Sequence, residues 1–280
     1  MHRNPRYLIA MFVAAGLIQS ASVAQTYNWS GAGDGSTWSQ GANWVGGVAP
    51  APGAFQIFLG TGSPTTTPTP IVLGASDNVT VSDQLFGPEW GETFNMYGTV
   101  TAGFGFAPVG AVGGPTSTIN MYGNASYTSG DSIFLGDMFW FNGGPNVVMN
   151  MYDNSSLTTK YFGWGGHLNL YGGTVTIQTA LLAGTPTAGA WGSPIVTDAT
   201  RLMDIAGGKL VLAGDATASV GDWISRGILE GYGVVGNVNI DTISIPGYTV
   251  VTGIPEPATV GLLGLGALTL VLRRRSTGAT

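Results

Sequence analysis

One pentapeptide recurs along the middle of this chain. It reads Phe94-Asn95-Met96-Tyr97-Gly98, then Ile119-Asn120-Met121-Tyr122-Gly123, Met149-Asn150-Met151-Tyr152-Asp153 and Leu168-Asn169-Leu170-Tyr171-Gly172. A weaker copy, Met203-Asp204-Ile205-Ala206-Gly207, follows. Successive copies begin 25, 30, 19 and 35 residues apart. Within each copy the apolar residues alternate with the polar ones, so Phe94 and Met96 share one face of a strand and Asn95 and Tyr97 the other. The glycine then breaks the strand.

A second short strand follows each copy: Thr99–Thr101, Ala125–Thr128, Ser156–Thr159, Thr174–Ile177 and Lys209–Leu212. Glycine pairs precede several copies, as at Gly113-Gly114, Gly143-Gly144 and Gly165-Gly166. The unit is strand, turn, strand, variable loop, and then the next Asn-containing strand. A unit this small cannot bury its own apolar face and has to stack on its neighbours. The pattern predicts an all-β fold: a β-solenoid, a right-handed parallel β-helix, since parallel crossovers take that hand almost always. Stacking would turn the repeated Asn and Tyr into columns along the axis. An antiparallel β-sandwich competes with this fold, but a sandwich has no reason to reuse one pentapeptide. Loop insertions on one face would account for the uneven spacing.

Composition agrees. Charged residues are 9% of the 280, glycine supplies 46, and cysteine is absent. Frequent Thr, Ser and Val with so many glycines favour strands joined by tight turns. Without cysteine, neither disulfides nor thiolate chemistry can contribute.

Both ends look like processing segments. His2, Arg3 and Arg6 precede the apolar stretch Tyr7–Ile18, and Ser22-Val23-Ala24 offers the small residues a signal peptidase reads. A signal peptide over 1–24, cleaved after Ala24, is expected. At the other end Pro255-Glu256-Pro257 leads into Ala258–Leu272, fifteen residues without a charge, and then Arg273, Arg274 and Arg275. As a helix that run would rise about 22 Å, short of a hydrocarbon core of roughly 30 Å, so the arginines would snorkel. The positive-inside rule holds them on the cytoplasmic side. A short C-terminal transmembrane helix is therefore expected over this run. Residues 254–280 resemble the PEP-CTERM tail of bacterial exported proteins. The resemblance implies processing by the membrane protease exosortase and delivery to the cell surface or extracellular matrix.

Between these ends lies a body of residues 25–253. With Glu256 and the terminal arginines set aside, Lys160, Arg201, Lys209 and Arg226 face fourteen acidic residues, a balance of −10. Such a surface cannot release counterions from phosphate, so nucleic acid is excluded as a partner. The opening of the body, 25–60, carries Trp29, Trp38 and Trp44 at short intervals. It resembles the Trp- and Gly-rich start of autotransporter-like and PEP-CTERM β-helix proteins. Gly227–Ile240 resembles the closing repeat of the same proteins. Both segments are expected to cap the stack and block edge-to-edge growth.

Catalytic chemistry finds little support. His167 is the one histidine of the body, placed in the turn before a repeat, with no nucleophile elbow around it. Metal sites built from histidine or thiolate are excluded. The acids are dispersed, with no Asp-x-Asp, although one repeat of spacing could stack Asp131 on Asp153. No cofactor is expected; Ca²⁺ is conceivable without a motif to support it. Gly31-x-Gly33-x-Gly35 lacks the strand, helix and acid of a dinucleotide site.

Aromatic residues are the remaining feature. Phe134, Phe139, Trp140 and Phe141 crowd one loop, Tyr161, Phe162 and Trp164 the corresponding region of the next unit, and Phe86, Trp90, Phe104 and Phe106 similar positions before them. On one face these would form a strip able to stack on sugar rings, although covering the side of the core is a sufficient explanation and the favoured one. The expected function is an exported, non-catalytic structural or adhesive protein of the cell surface or exopolysaccharide matrix. The alternatives are a carbohydrate-binding module using those aromatics and a β-helix polysaccharide lyase or hydrolase. Expected partners are exosortase, signal peptidase, the membrane through the C-terminal helix before processing, and exopolysaccharide.

Overall fold

The computed structural model describes residues 25–60, 69–88, 91–107, 115–136, 146–179 and 202–255. Among the described residues strands dominate, and the fold is all-β apart from one 3-10 turn and one short helix. Strand β1 (Thr26–Asn28) pairs in parallel with β2 (Ala54–Phe58). Then comes β3 (Ile71–Leu73), which begins a second sheet, and the long β4 (Asn78–Phe86), which pairs in parallel with β2.

The repeats follow. The first pentapeptide forms β5 (Thr93–Met96), succeeded by β6 (Thr99–Ala102) and β7 (Gly105–Ala107). The second unit is β8 (Ser117–Met121), β9 (Ser126–Ser129) and β10 (Ser132–Leu135). The third is β11 (Val147–Met151), β12 (Ser156–Thr159) and β13 (Tyr161–Trp164). Two further units supply β14 (His167–Leu170) with β15 (Thr174–Ile177), and β16 (Leu202–Ile205) with β17 (Lys209–Ala213).

Every strand of one unit pairs in parallel with its counterpart in the next. The pentapeptide strands stack in the order β3-β5-β8-β11-β14-β16, with Phe94, Ile119, Met149, Leu168 and Met203 in one register column. The second strands stack as β4-β6-β9-β12-β15-β17, and the third as β4-β7-β10-β13. The third strands fall where sequence alone placed loops. They are three or four residues long and share no repeated motif, yet Phe106, Ile133 and Phe162 all point inward and are buried.

Uneven spacing has a simple origin. Third strands β7 and β10 each lead into residues outside the described set, 108–114 and 137–145, before the next pentapeptide. By contrast, β13 passes through Gly165 and Gly166 straight into β14, giving the 19-residue interval. Most of the difference among these three intervals therefore lies between the third strand and the next pentapeptide, while the turn after the pentapeptide varies by only a residue or two.

The interior is a set of apolar columns. Phe94, Ile119, Met149 and Leu168 lie opposite Val100, Tyr127, Leu157 and Val175, all fully or almost fully buried. Burial of each such side chain contributes about 1.5–3 kcal/mol. Tyr127 is the polar exception: its ring stacks on Phe106 at 4.6 Å and its hydroxyl donates to the Gly105 carbonyl at 3.2 Å. Burial pushes that phenol well above its ordinary pKa. The corner between second and third strands is tight, and an added Cβ at Gly130 would lie 2.2 Å from the Gly103 carbonyl oxygen. Buried Ser129 and Thr159 sit beside this corner, their hydroxyls within hydrogen-bonding distance of Phe104 and Asp131 carbonyls respectively.

Different devices cover the two ends. At the first, Trp44 receives Trp29 and Trp38 edge-on, with centroids 5.0 and 4.8 Å away, and its Nε1 donates to the Trp38 carbonyl. All three are buried, and Trp38 reaches Phe94 of the first repeat. Buried Asn43 organises the glycine loop: its Oδ1 accepts from the Gly33 and Gly35 amides at 2.9 Å, and its Nδ2 donates to Asp34 and to the Thr37 carbonyl. The Gly31-Gly33-Gly35 run is thus a cap loop wrapped around an asparagine.

The far end closes with α1 (Thr217–Ser225), which buries Val220 and Trp223, and with β18 (Leu229–Gly231), β19 (Val234–Val235), β20 (Val238–Asp241) and β21 (Tyr248–Gly253). Here the direction reverses. β21 runs antiparallel on β17, β20 antiparallel on β21, and β19 antiparallel on β18. A reversed strand cannot continue a parallel stack, which blunts the exposed edge.

Candidate functional surface: the asparagine and tyrosine columns

The parity that sends Phe94 and Met96 inward sends Asn95 and Tyr97 outward. Parallel register then places the four asparagines above one another. Asn120 Nδ2 donates to Asn95 Oδ1 at 2.8 Å, Asn150 to Asn120 at 2.9 Å and Asn169 to Asn150 at 2.8 Å. The amides are half-buried and all point the same way, so each polarises the next. The column continues in register to Asp204 and Glu230, where amides give way to carboxylates.

Beside it runs a tyrosine stack. Tyr97, Tyr122, Tyr152 and Tyr171 lie face to face with centroids 5.1, 4.9 and 5.2 Å apart and planes within 19° of parallel. The spacing is that of adjacent strands, about 4.8 Å. Within the stack the faces are occupied, leaving ring edges and hydroxyls outward. Tyr97 and Tyr171, at the ends, are 42% and 48% exposed. Crowding against neighbours raises the Tyr122 and Tyr152 phenols above their ordinary pKa, through partial desolvation first and the adjacent phenols second.

The residues singled out for sugar contact are only partly reached by the described structure. Tyr161 opens β13 and is half-buried. Trp164 ends that strand, its side chain outside the described residues, as are Phe139 and Trp140 entirely. Phe106 and Phe162, in the same part of the units, are core. Phe58 and Phe86 form a further stacked pair at 4.6 Å.

The acids do not converge. Asp153 sits above Gly123, whose amide donates to its carboxylate at 2.9 Å, whereas Asp131 lies below Lys160. Asp131 and Asp153 therefore belong to different columns. Among the described residues there is no group of three His, Asp or Glu side chains that could hold a metal ion. His167 is the first residue of β14, half-buried between Val148 and Leu202 in register, rather than in the turn before it.

The last strand, β21, ends at Gly253, and the chain leaves the body there. Residues 253–275 match the PEP-CTERM protein-sorting motif. The chain carries a PEP-CTERM tail. That tail implies an exported, cell-surface protein sorted by exosortase. Pro255 follows the final strand after Ile254 alone, while Glu256, Pro257, Arg273, Arg274 and Arg275 lie outside the described residues, as does Ala24 of the expected signal cleavage site. The expected transmembrane helix over Ala258–Leu272 is outside them too. Among the described residues no helix is long and apolar enough to cross a membrane. No similar curated protein and no similar solved structure was found for the chain.

Proposed function

We propose that this protein is a non-catalytic structural or adhesive component of the cell surface or exopolysaccharide matrix. Its body is a capped right-handed β-solenoid, released or held there through the PEP-CTERM tail. The observation that carries this reading is the pair of unbroken outer columns. Four amides and four phenols, each bonded or stacked from one unit to the next, run the length of the repeats. Such columns stiffen a rod and present identical groups at a fixed interval. A catalytic site instead needs unlike groups brought to one point.

A polysaccharide-binding role is the second reading, and the exposed end rings favour it. Tyr97 and Tyr171 are the members of the stack with accessible area to offer a sugar. Tyr161 with Phe139, Trp140 and Trp164 remains the other candidate surface, and Ca²⁺ could bridge the acidic body to an anionic glycan.

Co-sedimentation of the body, residues 25–253, with the producing organism's own exopolysaccharide, with and without Ca²⁺, tests these readings. Binding weakened by Tyr97→Ala with Tyr171→Ala would place contact on the stack. Binding weakened by Trp140→Ala with Trp164→Ala would place it on the loops. No binding in either condition leaves a spacer or scaffold. New reducing ends or an unsaturated product would overturn the non-catalytic assignment in favour of a hydrolase or lyase.

A further inference from the structure

The route by which the chain leaves its body is unusually tight. Ile254 is held on both sides by one residue: Asn237 Nδ2 donates to the Ile254 carbonyl at 2.6 Å, and the Ile254 amide donates to the Asn237 carbonyl at 3.0 Å. Asn237 is itself tied to the β18–β19 hairpin, through its amide to the Val234 carbonyl and through Nδ2 to the Gly231 carbonyl. Only Pro255, Glu256 and Pro257 separate this clamp from the apolar run beginning at Ala258. Three extended residues reach about 10 Å at most.

Around the exit, the surface is apolar. Tyr232 is 38% exposed, Val234 43%, Val235 49% and Ile254 44%. Val234 and Val235 form β19, Tyr232 is in the turn before it, and the Tyr232 ring lies beside Gly253, the residue before Ile254. Tyr232 also adopts φ +54°, a left-handed conformation that costs a non-glycine residue on the order of 1 kcal/mol or more. The Asp204 carboxylate accepts from the Gly233 amide at 3.1 Å and pins this turn. A bulky phenol is thus held, at a cost, at the tip of a hairpin beside the tail. Tyrosine is a side chain that settles at the membrane–water interface.

We propose that this hairpin end, with Tyr232, Val234 and Val235 beside Ile254, dips into the lipid bilayer in which the tail is anchored, so the rod stands on its C-terminal end. This rests on the reading of Ala258–Leu272 as a membrane segment. The contact is apolar: residues 229–237 contain no lysine or arginine and one acid, Glu230. Neutral lipid therefore suffices, and salt does not weaken it.

The absence of cysteine makes the test direct. Full-length protein carrying Val235→Cys, or Val45→Cys at the opposite cap (64% exposed in the native chain), is labelled with an environment-sensitive fluorophore. Each is reconstituted into phosphatidylcholine vesicles containing spin-labelled lipid. The label at 235 should be quenched about threefold more than at 45, as for groups about 5–10 Å into the interface, and equally so in high salt. Equal quenching at the two sites in protein that floats with the vesicles overturns the proposal and leaves the anchor standing. Quenching lost in high salt overturns it in favour of electrostatic adsorption. Protein that does not float with the vesicles overturns the anchor, and the proposal with it.

Discussion

Tyr122 and Tyr152 lie ring upon ring, centroids 4.9 Å apart and planes 7° from parallel, although thirty residues separate them in the chain. Ionising either phenol would place a negative charge against its neighbours' π faces. Both phenols titrate above their ordinary value, so the folded state binds their protons more tightly than the unfolded state. The stability they confer is complete below the unfolded value of about 10 and declines as pH rises past it. Ultraviolet difference titration should show late-titrating tyrosines, and Tyr122→Phe with Tyr152→Phe should flatten the alkaline loss of stability.

The amide column makes a separate prediction. Asn120→Asp keeps the acceptor for Asn150 and loses the donor to Asn95, setting two oxygens against each other. The variant should lose about 2–3 kcal/mol at neutral pH in urea denaturation. Part should return below pH ~4, where the new carboxyl is protonated and donates again.

At the corner, Gly130→Ala introduces a Cβ 2.2 Å from the Gly103 carbonyl oxygen, and backbone must move to receive it. A loss of about 2–4 kcal/mol is expected. Gly123→Ala, where nothing lies within 4 Å, tests left-handed strain alone at φ +61°, and should cost about 1 kcal/mol.

The first cap depends on Asn43, which is fully buried. Asn43→Ala removes two acceptor and two donor contacts and should cost about 2–4 kcal/mol, with protease cleavage appearing first near residue 34. Its partner Asp34 accepts from Ser36, Thr37 and Asn43, and the Thr37 hydroxyl bond leads in holding the carboxyl far below its ordinary value. That contribution is present above the unfolded value of about 4 and fades as pH falls below it. The cap should therefore loosen in acid before the repeats do, visible as a change in tryptophan fluorescence.

How much of this could be read without coordinates depended on repetition. Asn95, Asn120, Asn150 and Asn169 recur in one frame, so their columnar stacking was legible even though their outward direction was not. The tryptophan cap was legible because three indoles within sixteen residues have few uses besides covering an end. Phe106, Ile133 and Phe162 were not recognised as one column. Their strands are very short, and their neighbours, Gly105, Ser132 and Tyr161, have nothing in common. What would have found them is position: each follows its second strand after a corner of nearly constant length. The helix Thr217–Ser225 was missed for another reason. Its threonine, serines, valine and central Gly221 are weak helix formers, and it is held by burying Val220 and Trp223.

Strand-for-strand parallel register has a consequence for the molecule's dimensions. The unit of β8, β9 and β10 pairs in parallel, strand for strand, with the unit before it and the unit after it, so duplicating or deleting one would leave both ends intact. The body could thus be lengthened or shortened in steps of about one strand spacing, roughly 4.8 Å each. Its reach is a quantity adjustable by counting units, independent of whatever the corner loops are shaped to meet.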